Sequence, residues 1–351
     1  MYLTEQEIFS QYEALQNTYD HVMAKRREIK DFFLRNDFSS ITFIGCGSSH
    51  RLCQSGEISA KVRGLPANSL AAGDLFINFE HYRKMLTGTV IVALSRSGNT
   101  SEVLMAVEKA KEVGVSCISF SAWEGSRLAE VSALHLELPW AFDKSVCQTR
   151  TVTNLYAANL LLLGIVTDDS HLIEETAMAI NRGAEFMDAY TAIAREIAET
   201  SAWDKAVVLA DSELQGIASE AALALVEIPQ VTANFYHVLD FRHGPMVLVD
   251  KHTLAIIACS PEETNLQSAL VTDLQKRGAT VVTIGIGSSK TWGSNWHITV
   301  PHYLNYGVVG IPSVFIPQVI GYYKALQKGI NPDLPQGLQA WINLDEISYG
   351  G

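Results

Sequence analysis

Residues 89–111, TVIVALSRSGNTSEVLMAVEKAK, contain a complete strand, turn and helix pattern. The apolar run from Thr89 to Leu94 is typical of a strand that is buried on both faces of a sheet. The polar turn from Ser95 to Ser101 follows, and apolar residues then recur with a helical period through Lys111. This stretch predicts one strand–helix unit of a parallel sheet.

The same pattern recurs in both halves of the chain. In the first half, short apolar runs lie at 41–44, 116–120 and 133–138, and helical periods lie at 48–62 and 151–166. In the second half, the predicted strands and helices lie at 206–210, 214–227, 253–258, 262–277, 280–285, 298–300 and in a long segment that ends near 328. Such alternation favours a parallel sheet with helices on both faces.

The repeated order of elements predicts a duplicated α/β fold. Each half is expected to be a three-layer, flavodoxin-like domain in which helices flank a parallel sheet. The predicted domains are residues 1–200 and residues 201–351, with the boundary near Ser201–Trp203.

Composition excludes several classes of partner. The 351 residues carry a formal net charge of −12, whereas nucleic acids and anionic membranes are bound by clustered Lys and Arg. The longest apolar stretch, 308–323, contains Pro312 and Pro317 and is expected in a core or a subunit interface, not in a membrane. Five scattered cysteines and an acidic, helical N-terminus without a secretory-signal pattern indicate a cytoplasmic protein with reduced thiols.

Two serine-rich turns follow predicted strands and precede predicted helices. One is Ser95–Ser101 and the other is Gly45-Cys-Gly-Ser-Ser49. Because a helix N-terminus exposes unpaired N–H groups and the positive end of its dipole, such turns bind phosphate without a lysine. Each turn alone is also compatible with ordinary Ser/Thr helix caps. Neither matches a nucleotide-binding motif, so a small phosphorylated molecule is the predicted ligand.

A carboxylate and a histidine form the second candidate group. Glu227 lies in the apolar sequence ALALVEIP, where desolvation raises a carboxyl pKa toward neutral pH, and His243 follows sixteen residues later in RHGP. Moving a proton between C1 and C2 of a sugar requires such a carboxylate, and opening the ring suits a neutral imidazole. The alternatives are a helix-end carboxylate that caps local groups and a turn histidine bonded to backbone.

The chain resembles the tandem sugar isomerase (SIS) domain family, through GCGSS at 45–49, SRSGNT at 95–100 and the RHGP segment. The resemblance implies that Ser48, Ser49, Ser95, Ser97 and Thr100 bind a sugar 6-phosphate, with Arg96 presenting its backbone. The later loop containing Cys147 and Gln148 matches the sugar-contacting loop of the family more loosely. Gly47, within the turn at 45–49, and His50, directly after that turn, are expected near the sugar.

Within that family, QGIASEAALALVEI, LDFRHGPMVLVD and INPDLP are most similar to galactosamine-6-phosphate deaminase/isomerases of the AgaS type. Likeness to the isomerase domain of glucosamine-6-phosphate synthase implies that Glu227 transfers the proton and His243 opens the ring. It also implies a homodimer, or a higher oligomer built from it, in which subunits share active sites. Two lysines of these relatives are replaced here, one by Ala224 and the other by Ala340 in the nearest alignment.

These features lead to one main hypothesis and two alternatives. The main hypothesis is an enzyme that converts an aminohexose 6-phosphate to a ketose 6-phosphate and ammonia. The missing lysines favour a deglycase, which cleaves a 6-phosphorylated sugar–amino acid adduct. The third possibility is a sugar-phosphate sensor without catalytic activity. The other histidines lack metal-ligand spacing, so we expect neither a metal nor another cofactor. Because ACSPEET replaces the serine loop in the second half, we expect one phosphate site per chain, in the first half.

Overall fold

A computed structural model of the chain describes residues 1–200, 202–340 and 344. Its strands are β1 Ser40–Gly45, β2 Ala67–Ala71, β3 Thr89–Ser95, β4 Cys117–Ser121, β5 Leu134–Glu137, β6 Lys205–Leu209, β7 Thr232–Tyr236, β8 Thr253–Ala258, β9 Thr280–Gly285 and β10 Trp296–Thr299. Its α-helices are α1 Leu3–Phe9, α2 Gln11–Ala24, α3 Arg26–Asn36, α4 Ser48–Val62, α5 Ala72–Ile77, α6 Phe79–Tyr82, α7 Ser101–Glu112, α8 Arg127–Val131, α9 Arg150–Val166, α10 Ser170–Asn181, α11 Gly183–Thr200, α12 Gln215–Glu227, α13 Thr264–Lys276, α14 Ser289–Trp292 and α15 Gly310–Gln327.

The chain forms two compact units. The N-terminal unit comprises residues 10–177 and 339–351, and the C-terminal unit comprises residues 1–9 and 178–338. None of the helices within the described part of the chain combines the length and apolarity needed to cross a membrane.

The N-terminal unit is built on a parallel sheet with the strand order β2-β1-β3-β4-β5. Successive residues of β1 face opposite helix layers because side chains alternate along a strand. Phe43 lies against Gly56 of α4, whereas Ile44 packs in a cluster with Val103 and Val107 of α7. The unit therefore has helices on both faces of its sheet, and its order is that of a flavodoxin-like fold.

The C-terminal unit repeats this architecture with the order β10-β9-β8-β6-β7, again entirely parallel. Counted from its own first strand, this is the same 2-1-3-4-5 arrangement. Val207 packs with residues of α13, and the neighbouring Val208 lies beside Ile217 and Ala221 of α12 on the opposite face. The predicted duplicated three-layer α/β fold is confirmed.

Two strands were missed by the sequence pattern, and both are edge strands. β2 has only one buried residue and β7 has none, because each forms ladder hydrogen bonds on one side only. Their sequences, ANSLA and TANFY, therefore lack the apolar run that marks the inner strands.

The compact units divide the chain at a different place from the predicted domains. The division falls between residues 177 and 178, whereas the predicted boundary falls near Ser201, which lies outside the described residues. The helix α11 belongs to the C-terminal unit because it packs on α15, where Phe186 meets Phe315 and the Gln327 side chain donates to the Glu199 carbonyl.

The two sheets carry equivalent histidines on their edge strands β5 and β10. His135 pairs in register with Ser119 and its Nδ1 lies 2.7 Å from the Ser119 hydroxyl; His297 pairs with Thr283 and its Nδ1 lies 2.9 Å from the Thr283 hydroxyl. Burial lowers the pKa of both imidazoles below the ordinary value of 6.5, so the folded protein favours their neutral forms.

We expect these two histidines to make folding stability depend on acidity. The unfolded chain binds more protons once the pH falls below about 6.5, so stability is present above that pH and is lost progressively below it. The double variant His135→Gln/His297→Gln should lose less unfolding free energy than the wild type between about pH 7.5 and pH 5.5, measured by urea denaturation. His171→Gln, at an exposed side chain, is the control. Equal pH slopes for the wild type and the double variant would contradict the prediction.

Candidate active site

The reversal of strand order at β1 creates a crevice in the N-terminal unit. The chain leaves β1 for β2 on one side and later returns to β3 on the other, so the loops after β1 and β3 diverge at the carboxyl edge of the sheet. Ligands of open parallel sheets bind at such a switch point. The two predicted serine turns are these two loops, because β1 ends at Gly45 and β3 ends at Ser95.

The turn after β3 is fixed by its own side chains. The Ser95 hydroxyl accepts a hydrogen bond from the Gly98 N–H at 3.0 Å, and the Ser97 hydroxyl accepts one from the Asn99 N–H at 3.1 Å. Ser95, Arg96 and Ser97 are buried, and Thr100 is half-buried immediately before α7. The turn therefore leads directly into the N-terminus of a twelve-residue helix.

Gly98 is required by both conformation and space. Its φ of +60° lies in the left-handed region, and a Cβ at this position would collide with the side chain of Ser126. The loop therefore keeps its shape only with glycine at its centre.

The turn after β1 has the same construction. Gly47 adopts a φ of +53° and α4 begins at the next residue, with Ser48 and Ser49 both buried. A Cβ on Gly45 would lie 2.8 Å from the carbonyl carbon of Ser49, so the backbone turns tightly here. His50 is half-buried, and burial followed by the charge of Arg51 lowers its pKa, which favours a neutral imidazole.

Both turns present the kind of surface that binds an oxyanion. The first N–H groups of α4 and α7 have no intrahelical acceptor, and each helix dipole places partial positive charge at the same end. In a chain with a net charge of −12, this local donor set supplies an attraction for phosphate that the overall charge does not.

The side chain of Arg96 is committed to the protein backbone. Its guanidinium donates to the carbonyls of Ser145 and Val146, at 3.2 and 2.9 Å, and to the carbonyl of Ala340. These bonds hold the loop before α9 next to the turn after β3. Arg96 is thus available to a ligand through its main chain and not as a free cation.

The loop before α9 is organised by Asp143, a residue outside the predicted site. This buried carboxylate accepts hydrogen bonds from the N–H groups of Thr149 and Thr151 at 2.8 and 2.9 Å. Burial raises the pKa of Asp143, while these two donors and then Arg150 oppose the rise. In the sequence, Asp143 stands six residues before Thr149, which immediately precedes α9. This spacing is the signal that would have indicated the role of Asp143.

Asp143 thereby positions Cys147 and Gln148, the two site candidates in that loop whose match to the family is looser. Cys147 is buried, and Gln148 is half-buried with an Oε1 that has no hydrogen-bond partner among the described residues. Through Arg96, this segment belongs to the same edge of the N-terminal sheet as the serine turns.

Glu227 and His243 both lie in the C-terminal unit. Glu227 is the last residue of α12 and is half-buried. His243 ends a 3₁₀ turn, Asp240–His243, and is exposed; its imidazole has no hydrogen-bond partner among the residues that the structure describes. The preceding Arg242 anchors this turn to α13 through an ion pair with Asp273 at 2.8 Å.

Within that unit, the segments that carry the two side chains pack on opposite faces of the sheet. Glu227 is carried by α12, which packs on the face that includes Val208. The segment around His243 packs through Phe241 and Met246 on the α13 face. This follows from the strand order, since a right-handed connection from β6 to β7 and another from β7 to β8 must cross on opposite faces. Within one copy of the unit, the elements that carry this carboxylate and this imidazole are therefore separated by the sheet.

At the equivalent switch point of the C-terminal unit, polar groups bond to the chain itself. After β6, the buried Glu213 accepts a hydrogen bond from the Gly307 N–H at 3.1 Å, and the Tyr306 hydroxyl donates to the Ala258 carbonyl at 3.5 Å. Burial, reinforced by Cys259, Asp211 and Glu213, raises the pKa of Tyr306 and keeps it a neutral donor. Among the described residues, no group of three or more His, Cys, Asp or Glu side chains has the arrangement of a metal site.

The fold is a duplicated α/β fold whose first sheet has a switch point flanked by two serine turns. The chain belongs to the SIS domain family, which matches residues 35–163 and 200–307, more than half of the sequence. The family membership predicted from the serine turns and the RHGP segment is confirmed.

The relatives of this chain carry the names of enzymes that act on sugar phosphates. The chain is 26% identical over 76% of its length to D-galactosamine-6-phosphate deaminase AgaS of Shewanella, covering 69% of that protein. It is also 26% identical over 87% of its length to a glutamine–fructose-6-phosphate aminotransferase (isomerizing) of Sulfolobus acidocaldarius. The chain spans about half the length of the aminotransferase relatives that it matches.

Solved structures share the fold along almost the whole chain. Tagatose-6-phosphate ketose/aldose isomerase of Escherichia coli superposes with a TM-score of 0.82 at 22% identity, covering 99% of this chain and 97% of that one. Glucosamine-6-phosphate deaminase of Thermotoga maritima superposes with a TM-score of 0.77 at 24% identity, covering 97% and 99%. At these identities, the superpositions show that the chain shares the fold of these proteins.

We expect Gly98→Ala to weaken phosphate binding. The left-handed φ costs an alanine roughly 1–2 kcal/mol, and the collision with Ser126 forces the turn to shift its donors. Affinity for a hexose 6-phosphate, measured by calorimetry, should fall by about tenfold or more.

Gly114→Ala is the matched control for this variant. Gly114 also has a positive φ, of +82°, but a Cβ there meets no atom within 4 Å. It should cost similar stability without changing affinity. If both variants bind the hexose 6-phosphate equally well, the turn after β3 is not the phosphate site.

Proposed function

We propose that this protein is an isomerase and deaminase of an aminohexose 6-phosphate. The observation that carries the proposal is the pair of serine turns at the β1/β3 switch point, each of which leads into a helix N-terminus. Ser48, Ser49, Ser95, Ser97 and Thr100, with the main chain of Arg96, bind the phosphate. Relatedness to enzymes named as deaminases and isomerases of sugar 6-phosphates supports the same substrate class.

The proposed chemistry is a proton transfer followed by hydrolysis. His243 helps to open the sugar ring, and Glu227 removes the proton from C2 of a 2-amino aldose and returns it at C1. The product of this transfer is a ketose-type imine at C2. Water adds to the imine carbon and the C–N bond breaks, which yields a ketose 6-phosphate and ammonia.

Two copies of the chain form each active site in this proposal. Glu227 and His243 of one copy belong to opposite faces of one sheet, so the imidazole that serves a given Glu227 comes from the partner copy. The exposure of His243 supports this arrangement, as do the neighbouring apolar side chains of Val247 and Leu248, which are 75% and 68% exposed. Exposed apolar groups beside a functional residue are typical of an interaction surface.

Deglycation of a 6-phosphorylated sugar–amino acid adduct is the second candidate. It is favoured by Ala224, which is buried one helical turn before Glu227 and supplies no amine to polarise a carbonyl. The two candidates differ in the leaving group. Incubation with aminohexose 6-phosphates and with sugar–amino acid 6-phosphate adducts, followed by assays for ammonia and for free amino acid, distinguishes them. Release of amino acid without release of ammonia would replace the main proposal with the second.

Glu227→Gln is expected to abolish proton transfer while it preserves binding. The amide has nearly the same shape but no basic oxygen, so kcat should fall by about 10²–10⁴-fold with little change in affinity for the phosphosugar. Glu220→Gln, on the same helix, is not a suitable control because Glu220 is fully buried. Glu196→Gln, on α11, is the control. Near-wild-type turnover of Glu227→Gln would remove this residue from the mechanism.

Purified heterodimers test the sharing of sites between subunits. A dimer that pairs a Glu227→Gln subunit with a His243→Asn subunit contains one site with both substitutions and one with neither, if His243 acts across the interface. It should therefore recover about half of the wild-type activity, although each parent variant is inactive. Two different affinity tags allow the heterodimer to be isolated. A heterodimer as inactive as its parents would show that both groups act within one chain.

A further inference from the structure

The C-terminal unit contains a cavity of about 320 Å³ that the proposed reaction does not use. It lies where the first turns of α11 face the end of β10 and the segment after it. Its volume falls within the range of small-molecule sites. The residues that line this cavity do not include Glu213, Gly307, Tyr306 or Ala258, whose hydrogen bonds lie at the switch point of the same unit. The cavity is therefore distinct from that switch point.

The walls of this cavity are aromatic and rigid. Phe186 and Tyr190 stand with their ring centroids 4.8 Å apart and tilted by 52°, and Tyr303 and two prolines, Pro301 and Pro312, complete the lining. Tyr190 is held in place because its hydroxyl accepts the Thr299 N–H at 3.1 Å. Flat rings and proline rings favour a planar or branched apolar group as the occupant.

The charged groups at the cavity are one cation and one anion. Arg182 and Glu185 both line it, and their closest nitrogen and oxygen atoms are 3.8 Å apart, beyond hydrogen-bond distance. Their side chains are 53% and 78% exposed, so both present donors and acceptors to an incoming molecule. In addition, the Tyr190 hydroxyl accepts one hydrogen bond and retains its own proton for donation.

These charges select among possible ligands. A second sugar phosphate would place two negative charges beside Glu185, and like charges at short range are unfavourable. A purely apolar molecule would form no ionic contact with Arg182 or Glu185. A zwitterion matches both, since its carboxylate pairs with Arg182 and its ammonium group pairs with Glu185.

We propose that this cavity binds a free α-amino acid with an aromatic or branched apolar side chain. The carboxylate lies on Arg182 and receives the Tyr190 hydroxyl proton, the ammonium group lies on Glu185, and the side chain enters between Phe186, Tyr303 and the prolines. The proposal does not depend on the reaction assigned to the protein, because it concerns a separate site and is tested by binding alone.

Calorimetric titration of the full chain with L-phenylalanine and L-leucine tests the proposal. Saturable binding is expected, and phenylpropionate and phenethylamine, which each lack one charge, should bind at least tenfold more weakly. Arg182→Gln should weaken binding of L-phenylalanine by a similar factor. No saturable binding of either amino acid up to about 10 mM would overturn the proposal, as would equal binding of the two singly charged analogues.

A cavity-filling variant locates the site. Ala189→Leu places a larger side chain into the cavity and should abolish binding, whereas Ala184→Leu, also exposed on α11 but outside the cavity lining, should leave binding unchanged. The thermal transition of both variants reports whether they are folded. Binding that survives in a folded Ala189→Leu variant would place the amino acid elsewhere and overturn the assignment.

Discussion

The reversal of strand order at β1 of the N-terminal sheet determines where the proposed phosphate site lies. Because β1 is followed by β2 on one side and flanked by β3 on the other, two strand ends deliver two helix N-termini to one crevice. Backbone N–H groups then provide the positive potential that an acidic chain lacks globally. The surrounding details serve this arrangement. Gly98 permits the turn, Arg96 ties it to the next loop, and Asp143 fixes that loop.

The duplicated fold has kept its architecture in both units while its two crevices have diverged. The second switch point carries Glu213 and Tyr306, which bond to Gly307 and Ala258 of the same unit. In the proposed function the C-terminal unit contributes instead through Glu227 and His243. Their positions on opposite faces explain why a second copy of the chain enters the proposal.

Sequence patterns were sufficient for the parts of the fold that are buried on both sides. The inner strands produce apolar runs, and the serine turns stand out because they interrupt those runs at strand ends. The edge strands β2 and β7 were missed because exposure removes the apolar signal, and the reach of α11 into the C-terminal unit depends on packing against α15.

The same distinction applies to the candidate site. The serine, glutamate and histidine candidates could be proposed from sequence motifs alone, and they stay predictions. The role of Asp143 depends on which N–H groups its carboxylate meets in the folded chain. The face on which each group lies follows from strand order, and strand order is set by tertiary pairing that one sequence does not reveal.

A crystal structure of the protein with a bound hexose 6-phosphate is the most direct measurement of the central claim. The account predicts phosphate oxygens about 2.7–3.2 Å from main-chain and hydroxyl groups of both serine turns. It further predicts that C1 and C2 of the sugar lie within reach of Glu227 and of a His243 from another copy of the chain. A phosphate bound away from both turns, or a sugar that meets neither side chain in any subunit, would contradict it.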